Sequence, residues 1–337
     1  MKRERFLGTG KLNYQLLEEL LRHFKGMEDK RVVVGPGIGE DAAVIDFDNK
    51  YLVTKTDPIV CVQEHIGYYA PIINANDIAT TGAIPKWFMA TILLPRNARE
   101  QLAREIFEQI DACCKTLGLA LVSGHTEISF DLDRPIVVGS MFGEVEKEKL
   151  VRKSAKVGDS VLLVKGIAIE GTSIIAREKA KEVLARYGKE FLERCKNFIH
   201  EPGISVVREA LIARDFATSM HDPTEGGLFT GLYEVAKASD RGILVYKNKI
   251  HVYPETSRLC KDYDLSPYSI FASGALIVTT SRERTTELIR RYNSEGIKAI
   301  EIGKIRDKEK GLKVIDAEGR ESDLVYYEKD ELIRKIL

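Results

Sequence analysis

Apolar positions along this chain alternate between two spacings. Leu12, Leu16, Leu17, Leu20, Leu21 and Phe24 recur at the interval of one helical face, and Gly26 is placed to end that helix. VVVGPGIGEDAAVIDF (32–47) reads as strand, glycine loop, strand, and YLVTKTD (51–57) as a third strand ending at Asp57. Residues 64–82 read as a helix whose continuation Pro85 bars. WFMATILLP (87–95) is an apolar strand, 98–117 a long amphipathic helix closed by Gly118, and LALVSG and PIVVGSMFGEV two further strands.

The polar stretch 146–159 interrupts this pattern and marks a boundary between a domain of residues 1–150 and one of 151–337. Beyond it SVLLVKG is a strand, followed by helices around 171–186, 203–214 and 226–238. Strands are expected at GILVY, ALIVTT and KAIEIG, with a last helix near 329–336. Strands alternating with helices predict an α/β (α+β) fold, the first sheet covered on one face.

Composition narrows the function. With 51 basic and 51 acidic residues, the chain lacks the basic surplus of a general nucleic-acid binder. No apolar run approaches a membrane span, and MKRERFLGTG lacks the apolar core of a signal peptide. The five cysteines include no CxxC pair, as expected of free thiols in a reducing compartment, so a cytoplasmic protein is expected.

Four acidic stretches carry the candidate chemistry: GIGEDAAV around Asp41, TKTDPIV around Asp57, NANDIATTGAIP around Asp77, and SGHTE ending at Glu127. Hard oxygen ligands suit Mg²⁺ and the phosphates bound to it. Asp41, Asp57 and Asp77 are each expected where an element meets a loop, able to converge. Asn76 adds an uncharged donor and acceptor. Gly35, Gly37 and Gly39 let backbone N–H groups approach phosphate. Gly8-Thr9-Gly10-Lys11 fails as a P-loop because Arg5 and Leu12 occupy required positions, and Gly35–Glu40 fails the dinucleotide pattern at its sixth position. His125 and His221, expected in tight loops, are candidate proton carriers. In HDPTEGGL, Asp222 and Thr224 precede Gly226 and Gly227 and a helix, an arrangement that can offer backbone donors to an anion.

In this order the motifs resemble the ATP-binding superfamily of AIR synthase, the PurM-like proteins, which includes HypE, thiamine-monophosphate kinase and selenophosphate synthetase. The resemblance spans nearly the whole chain, adding VGDSVLLVKG (157–166) and SPYSIFASGALIV (266–278). It implies a two-domain fold whose N-terminal sheets pair across a homodimer into a barrel, with ATP and Mg²⁺ in clefts near the interface. Carried over, Asp41, Asp57 and Asp77 would hold metal and phosphates, and Gly124, His125, Thr126 and Glu127 would line the same cleft. Asp222, Thr224, Gly226 and Gly227 would contribute from the second domain, with His125 and Asp222 the catalytic candidates.

The chain departs from the thiol-tailed maturation factors: it ends ELIRKIL, with no cysteine after Cys260, and has Ala272-Ser273-Gly274 where they carry Asn-Glu-Gly. The expectation is an ATP- and Mg²⁺-dependent enzyme that phosphorylates or activates an oxygen of a small-molecule acceptor. Alternatives are a non-catalytic nucleotide-binding maturation or assembly protein with a protein partner, or a small-molecule kinase.

Overall fold

The structure, a computed structural model, describes residues 12–23 and 27–337. Phe24, Gly26 and the Gly8–Lys11 stretch lie outside the described residues. The first part of the chain runs α1 (Tyr14–His23), β1 (Val32–Val34), β2 (Ala43–Phe47), β3 (Lys50–Ile59), α2 (Ile66–Thr80), β4 (Ile84–Leu94), α3 (Glu100–Leu117), β5 (Ala120–Ile128) and β6 (Ile136–Glu146). Its strands form one sheet in the order β1-β2-β3-β6-β4-β5, antiparallel except for the β4–β5 pair.

Helix α2 lies on this sheet with all of its residues but Tyr68 buried. Its apolar residues surround it instead of forming a stripe, as suits a core helix. Close approach depends on Gly139 and Gly143 of β6: a Cβ there would come 2.2 Å from Asn74 Nδ2 and 2.5 Å from Ile78 Cγ2. Helix α3 packs on α2 and ends as expected at Gly118, whose φ of 69° suits a glycine cap.

Three local expectations are corrected. Strand β3 runs through Asp57 to Ile59, because β6 pairs with it along its whole length while β2 stops opposite Thr54. Pro85 lies inside β4 instead of after a helix; α2 has already closed at Thr80. SGHTE belongs to strand β5, not a tight loop, because parallel pairing with β4 continues as far as Leu94–Ile128.

The second part comprises β7 (Ser160–Val164), α4 (Ile169–Glu178), α5 (Ala180–Lys196, broken at Gly188), α6 (Val207–Ala213), β8 (Ala217–His221), α7 (Gly227–Ala238), β9 (Gly242–Tyr246), α8 (Pro254–Asp262), β10 (Leu276–Thr280), α9 (Arg282–Ser294), β11 (Ala299–Arg306), β12 (Leu312–Ile315), β13 (Glu321–Asp323) and α10 (Glu331–Lys335). Its sheet has the order β13-β12-β9-β11-β7-β10-β8, with β12–β9 the parallel pair. Strands β7 and β10 are buried throughout. Val161 and Leu163 pack with Leu228 and Leu232 of α7, while Leu162 and Val164 pack with Ala210 of α6 and Leu288 of α9. Continuous apolar runs such as SVLLV follow from this two-sided cover. The two parts meet where α2 contacts α6 and β8.

Candidate active site between the two sheets

Helix α2, strand β3 and the end of β8 bring acidic side chains from distant parts of the sequence to one place. Lys55 and Asp57 share a face of β3 by the two-residue alternation of a strand. The Lys55 ammonium lies 3.6 Å from Asp57 Oδ2 and 3.2 Å from Asp77 Oδ2 on α2. Asp41, in the turn after the glycine loop, is buried beside them. Its Oδ2 accepts hydrogen bonds from Thr80 Oγ1 (2.8 Å) and from Lys153 Nζ, and its Oδ1 lies 2.7 Å from His221 Nδ1. Ligand atoms of Asp41, His221 and Asp222 all lie within 4.8 Å of one another. Asp41, Asp57, Asp77 and Asp222 therefore gather around Lys55, although Asp57 lies within β3 and Asp77 within α2 and not where an element meets a loop.

The charges settle unequally. Burial raises the Asp41 carboxyl, but His221 and Lys153 outweigh it and hold the group well below the usual carboxylate range. His221 is the complement: burial opposes its charge, yet Asp41 on one ring nitrogen and Glu234 Oε2 on the other (2.8 Å) raise it to about 9. It is an imidazolium clamped between two carboxylates, so it holds the site together and is no free proton carrier at neutral pH. Asp77 is lifted to about 7 by burial, with Lys55 opposing and Asp57 and Asp41 adding to the lift. Asp222 is raised further, by burial and by its neighbours Asp77 and Asp41.

Both oxygens of Asp222 are buried without a hydrogen-bond partner, and the buried Oδ2 of Asp77 has only the Lys55 ammonium beside it. A buried carboxylate left this way is unfavourable. Hard oxygen donors with open lone pairs on these two neighbouring carboxylates suit Mg²⁺.

Other expected contributors are placed elsewhere. Asn76 is corrected: its Nδ2 donates to Ile204 O (2.9 Å) and its Oδ1 accepts from Val206 N (2.8 Å), so the amide ties α2 to the 204–206 loop. The helix-terminus anion site at Gly226–Gly227 is corrected too. Gly226 N donates to Asp330 Oδ2 (2.8 Å), Gly227 N to Thr224 O (3.1 Å) and Phe229 N to Tyr268 O (3.1 Å), so these donors are engaged within the protein. Gly39 makes a left-handed turn (φ 78°), and a Cβ there would come 2.9 Å from Glu234 O. Gly37 borders a separate cavity of about 350 Å³ beside Tyr14 and Arg22 of α1.

Within one chain, Gly124–Glu127 do not join the aspartates. Strand β5 is exposed along its whole length at the sheet edge. His125 is exposed, its Nε2 3.3 Å from Glu127 Oε2. Gly124, His125 and Thr126 border another cavity of about 360 Å³ with Phe107 and Leu121.

Asp57, at one side of the aspartate cluster, also lines a cleft of about 340 Å³, of whose lining the sequence marked only Asp57 and Thr224. Ile59, Val60, Phe271 and Ile333 give it apolar walls, and Glu170 and Glu225 add acid. Glu170, on α4, is buried; burial lifts its carboxyl to about 7 while hydrogen bonding to Ser273 pulls the other way. Lys55, Lys153, Glu170 and Glu234 carried no individual signal in the sequence. The two-residue alternation in TKTD is the signal that could have found Lys55, since it puts the residue on the strand face of Asp57.

Comparison with known proteins follows the same outline. The family model of AIR synthase related protein, N-terminal domain, matches residues 39–145, and that of the C-terminal domain matches residues 156–315. A protein of Methanocaldococcus jannaschii named for hydrogenase expression/formation is 26% identical over 332 residues, covering 95% of this chain and 96% of that protein. Thiamine-monophosphate kinase of Bacillus subtilis is 26% identical over 302 residues, covering 84% and 89%. Among solved structures, HypE in a HypE–HypF complex superposes with TM-score 0.72 at 22% identity, covering 93% of this chain and 99% of that one. AaThiL complexed with AMPPCP and TMP superposes with TM-score 0.70 at 21% identity, covering 91% and 92%. With both domain models matched in order and the two-sheet fold shared, this chain belongs to the AIR synthase related protein family.

Proposed function

We propose that the protein is an ATP- and Mg²⁺-dependent enzyme that directs a substrate oxygen at the γ-phosphoryl group. The product is either a phosphate ester or an activated amide-type oxygen ready for displacement. The observation that carries this reading is Asp222, whose two buried oxygens lack any protein partner beside Asp77 and Asp41. Asp41, Asp57, Asp77 and Asp222 would hold Mg²⁺, which when bound neutralises phosphate charge. Lys55 limits repulsion among these carboxylates and adds a fixed positive charge. Phosphoryl transfer asks mainly for positioning and charge neutralisation, which this set of residues suits.

The cleft beside Asp57 is the natural place for the acceptor, since it adjoins the aspartates and is walled by apolar side chains. A kinase relative, and a ThiL structure complexed with AMPPCP and TMP, support nucleotide use.

The proposed domains are residues 1–150 and 151–337. We assign the active form to a homodimer joined along β5. A long edge strand exposing Leu121, Val122 and Ile128 is a template for pairing with a second copy. Such pairing would give Gly124–Glu127 a role at the partner's site. A maturation-protein partner, as in the HypE–HypF complex, is the second reading.

The test is calorimetric titration with ATP and Mg²⁺, followed by a phosphate-release assay. Binding that Asp77→Asn and Asp222→Asn each weaken at least about ten-fold, a loss of about 1.4 kcal/mol, is the expected outcome. Unchanged affinity in both variants would remove the assignment. Tight binding without turnover in the presence of candidate acceptors would favour the assembly-protein reading.

A further inference from the structure

A groove of about 760 Å³ lies away from the aspartates, where the end of α3 meets α6 and α9. Its rim carries Arg208, Arg214, Arg284 and Arg291, and its floor includes Leu211 and Phe216. Arg284 and Arg291 are seven residues apart and so lie on one face of α9. Leu288 and Tyr292, beside them around the helix, are buried, so the two arginines flank the packed face.

The rim charge is poorly matched. Arg208 pairs with Glu295 at 2.5 Å, and Lys149 pairs with Asp215, also at 2.5 Å. Arg284 donates to the Asp215 carbonyl and stacks 4.2 Å above the Phe216 ring. Arg291 makes no ion pair among the described residues, and Arg214 acts on Asp215 only through its field. Lys149, Arg208, Arg214, Arg284 and Arg291 thus face two carboxylates, in a chain with no net charge. Asp215, pulled down first by Lys149 and then by the arginines, stays ionised and does not cancel the surplus.

We infer that this groove docks an acidic amphipathic segment of a partner protein, its carboxylates on the arginine rim and its apolar side chains on the Leu211–Phe216 floor. Charge complementarity selects an acidic occupant, and planar guanidinium groups suit carboxylates. Leu117, Val207, Leu211 and Ile212 give the groove an aliphatic lining, and Arg284 already covers the Phe216 ring, which favours a peptide over a nucleic acid that would use charge and aromatic stacking. The groove touches both the α3 end and the second sheet's helices, so an occupant would bridge the two parts of the chain.

The test uses the full chain and a fluorescein-labelled synthetic peptide with paired glutamates and leucines at helical spacing, followed by anisotropy. The peptide is expected to bind, more weakly as salt rises. Replacing its leucines with serine should weaken it, and Arg284→Glu with Arg291→Glu should weaken it at least about ten-fold. Arg290→Glu, an exposed change on the same helix outside the groove, should have less than about a third of that effect on a logarithmic scale. Circular dichroism of each variant checks that the fold is retained. No binding, an equal loss with Arg290→Glu, or insensitivity to the leucines would overturn the proposal. Displacement by inorganic polyphosphate with the leucines irrelevant would assign the groove to simple polyanions instead.

Discussion

Glu170→Gln separates a charge effect from a packing effect, since the two side chains have nearly the same shape. Burial lifts the Glu170 carboxyl from its ordinary 4.5 to about 7. In the unfolded chain it ionises near 4.5, so between the two values the folded state holds a proton the unfolded state has lost. Stability therefore falls as pH rises across that window. The penalty is absent below 4.5 and complete above about 7. At about 1.4 kcal/mol per pH unit the lift is worth about 3 kcal/mol. Water entering the cleft from its open side reduces this, so about 1–3 kcal/mol is expected. Glutamine keeps an oxygen to accept from Ser273 and has no charge to bury. Urea denaturation midpoints at pH 5, 6.5 and 8 measure the effect. The variant should match the parent at pH 5 and exceed it at pH 8. Asp77 and Asp330, also lifted by burial, slope the same way in both proteins, so only the difference between the two curves isolates Glu170. Parallel curves would refute the assignment of a buried, proton-holding carboxyl to this cleft.

His221→Ala should destabilise the protein by about 3–5 kcal/mol at pH 7, because it leaves the buried Asp41 and the half-buried Glu234 without the cation between them. His221 is raised from 6.5 to about 9, so its contribution is full below 6.5 and lost as pH rises through 9; the parent's midpoint should fall more steeply across that range than the variant's, which keeps only the slope of the raised carboxyls. Asn76→Ala removes two buried hydrogen bonds between α2 and the 204–206 loop and should cost about 2–3 kcal/mol in urea denaturation. Its ATP affinity, measured at low temperature where the variant is folded, should change less than about three-fold, since neither amide atom faces the aspartates. Val122→Glu places a charge on the exposed edge strand; the parent is expected to sediment as a dimer and the variant as a monomer, and identical sedimentation would set aside pairing through β5.

How much was legible depended on the range of the interaction that fixes each residue. The aspartates at 41, 57, 77 and 222 stood out because their motifs are local: each sits beside glycines, a proline or a strand run that the sequence displays. The strand face shared by Lys55 and Asp57 is equally local, since alternation alone sets it. Asn76 shows where locality misleads. Beside Asp77 in sequence, it points along a helix one hundred degrees away and meets the 204–206 loop, which is more than a hundred residues distant. The Gly226–Gly227 turn was visible as a helix start, but its donors were claimed by Asp330, near the other end of the second half.

The sequence by itself determined the alternation of strands and helices, the break near residues 146–159 and the acidic motifs, because periodicity and turn chemistry act over a few residues. Only the tertiary structure decided that His221 is a clamped imidazolium, that Asp222 is buried without a partner, and that Glu170 opens on the same cleft as Asp57. Protonation and hydrogen bonding depend on burial and on charges brought together across the fold. The field at Asp41 comes from Lys153 and His221, residues 112 and 180 positions away, and no local pattern carries it.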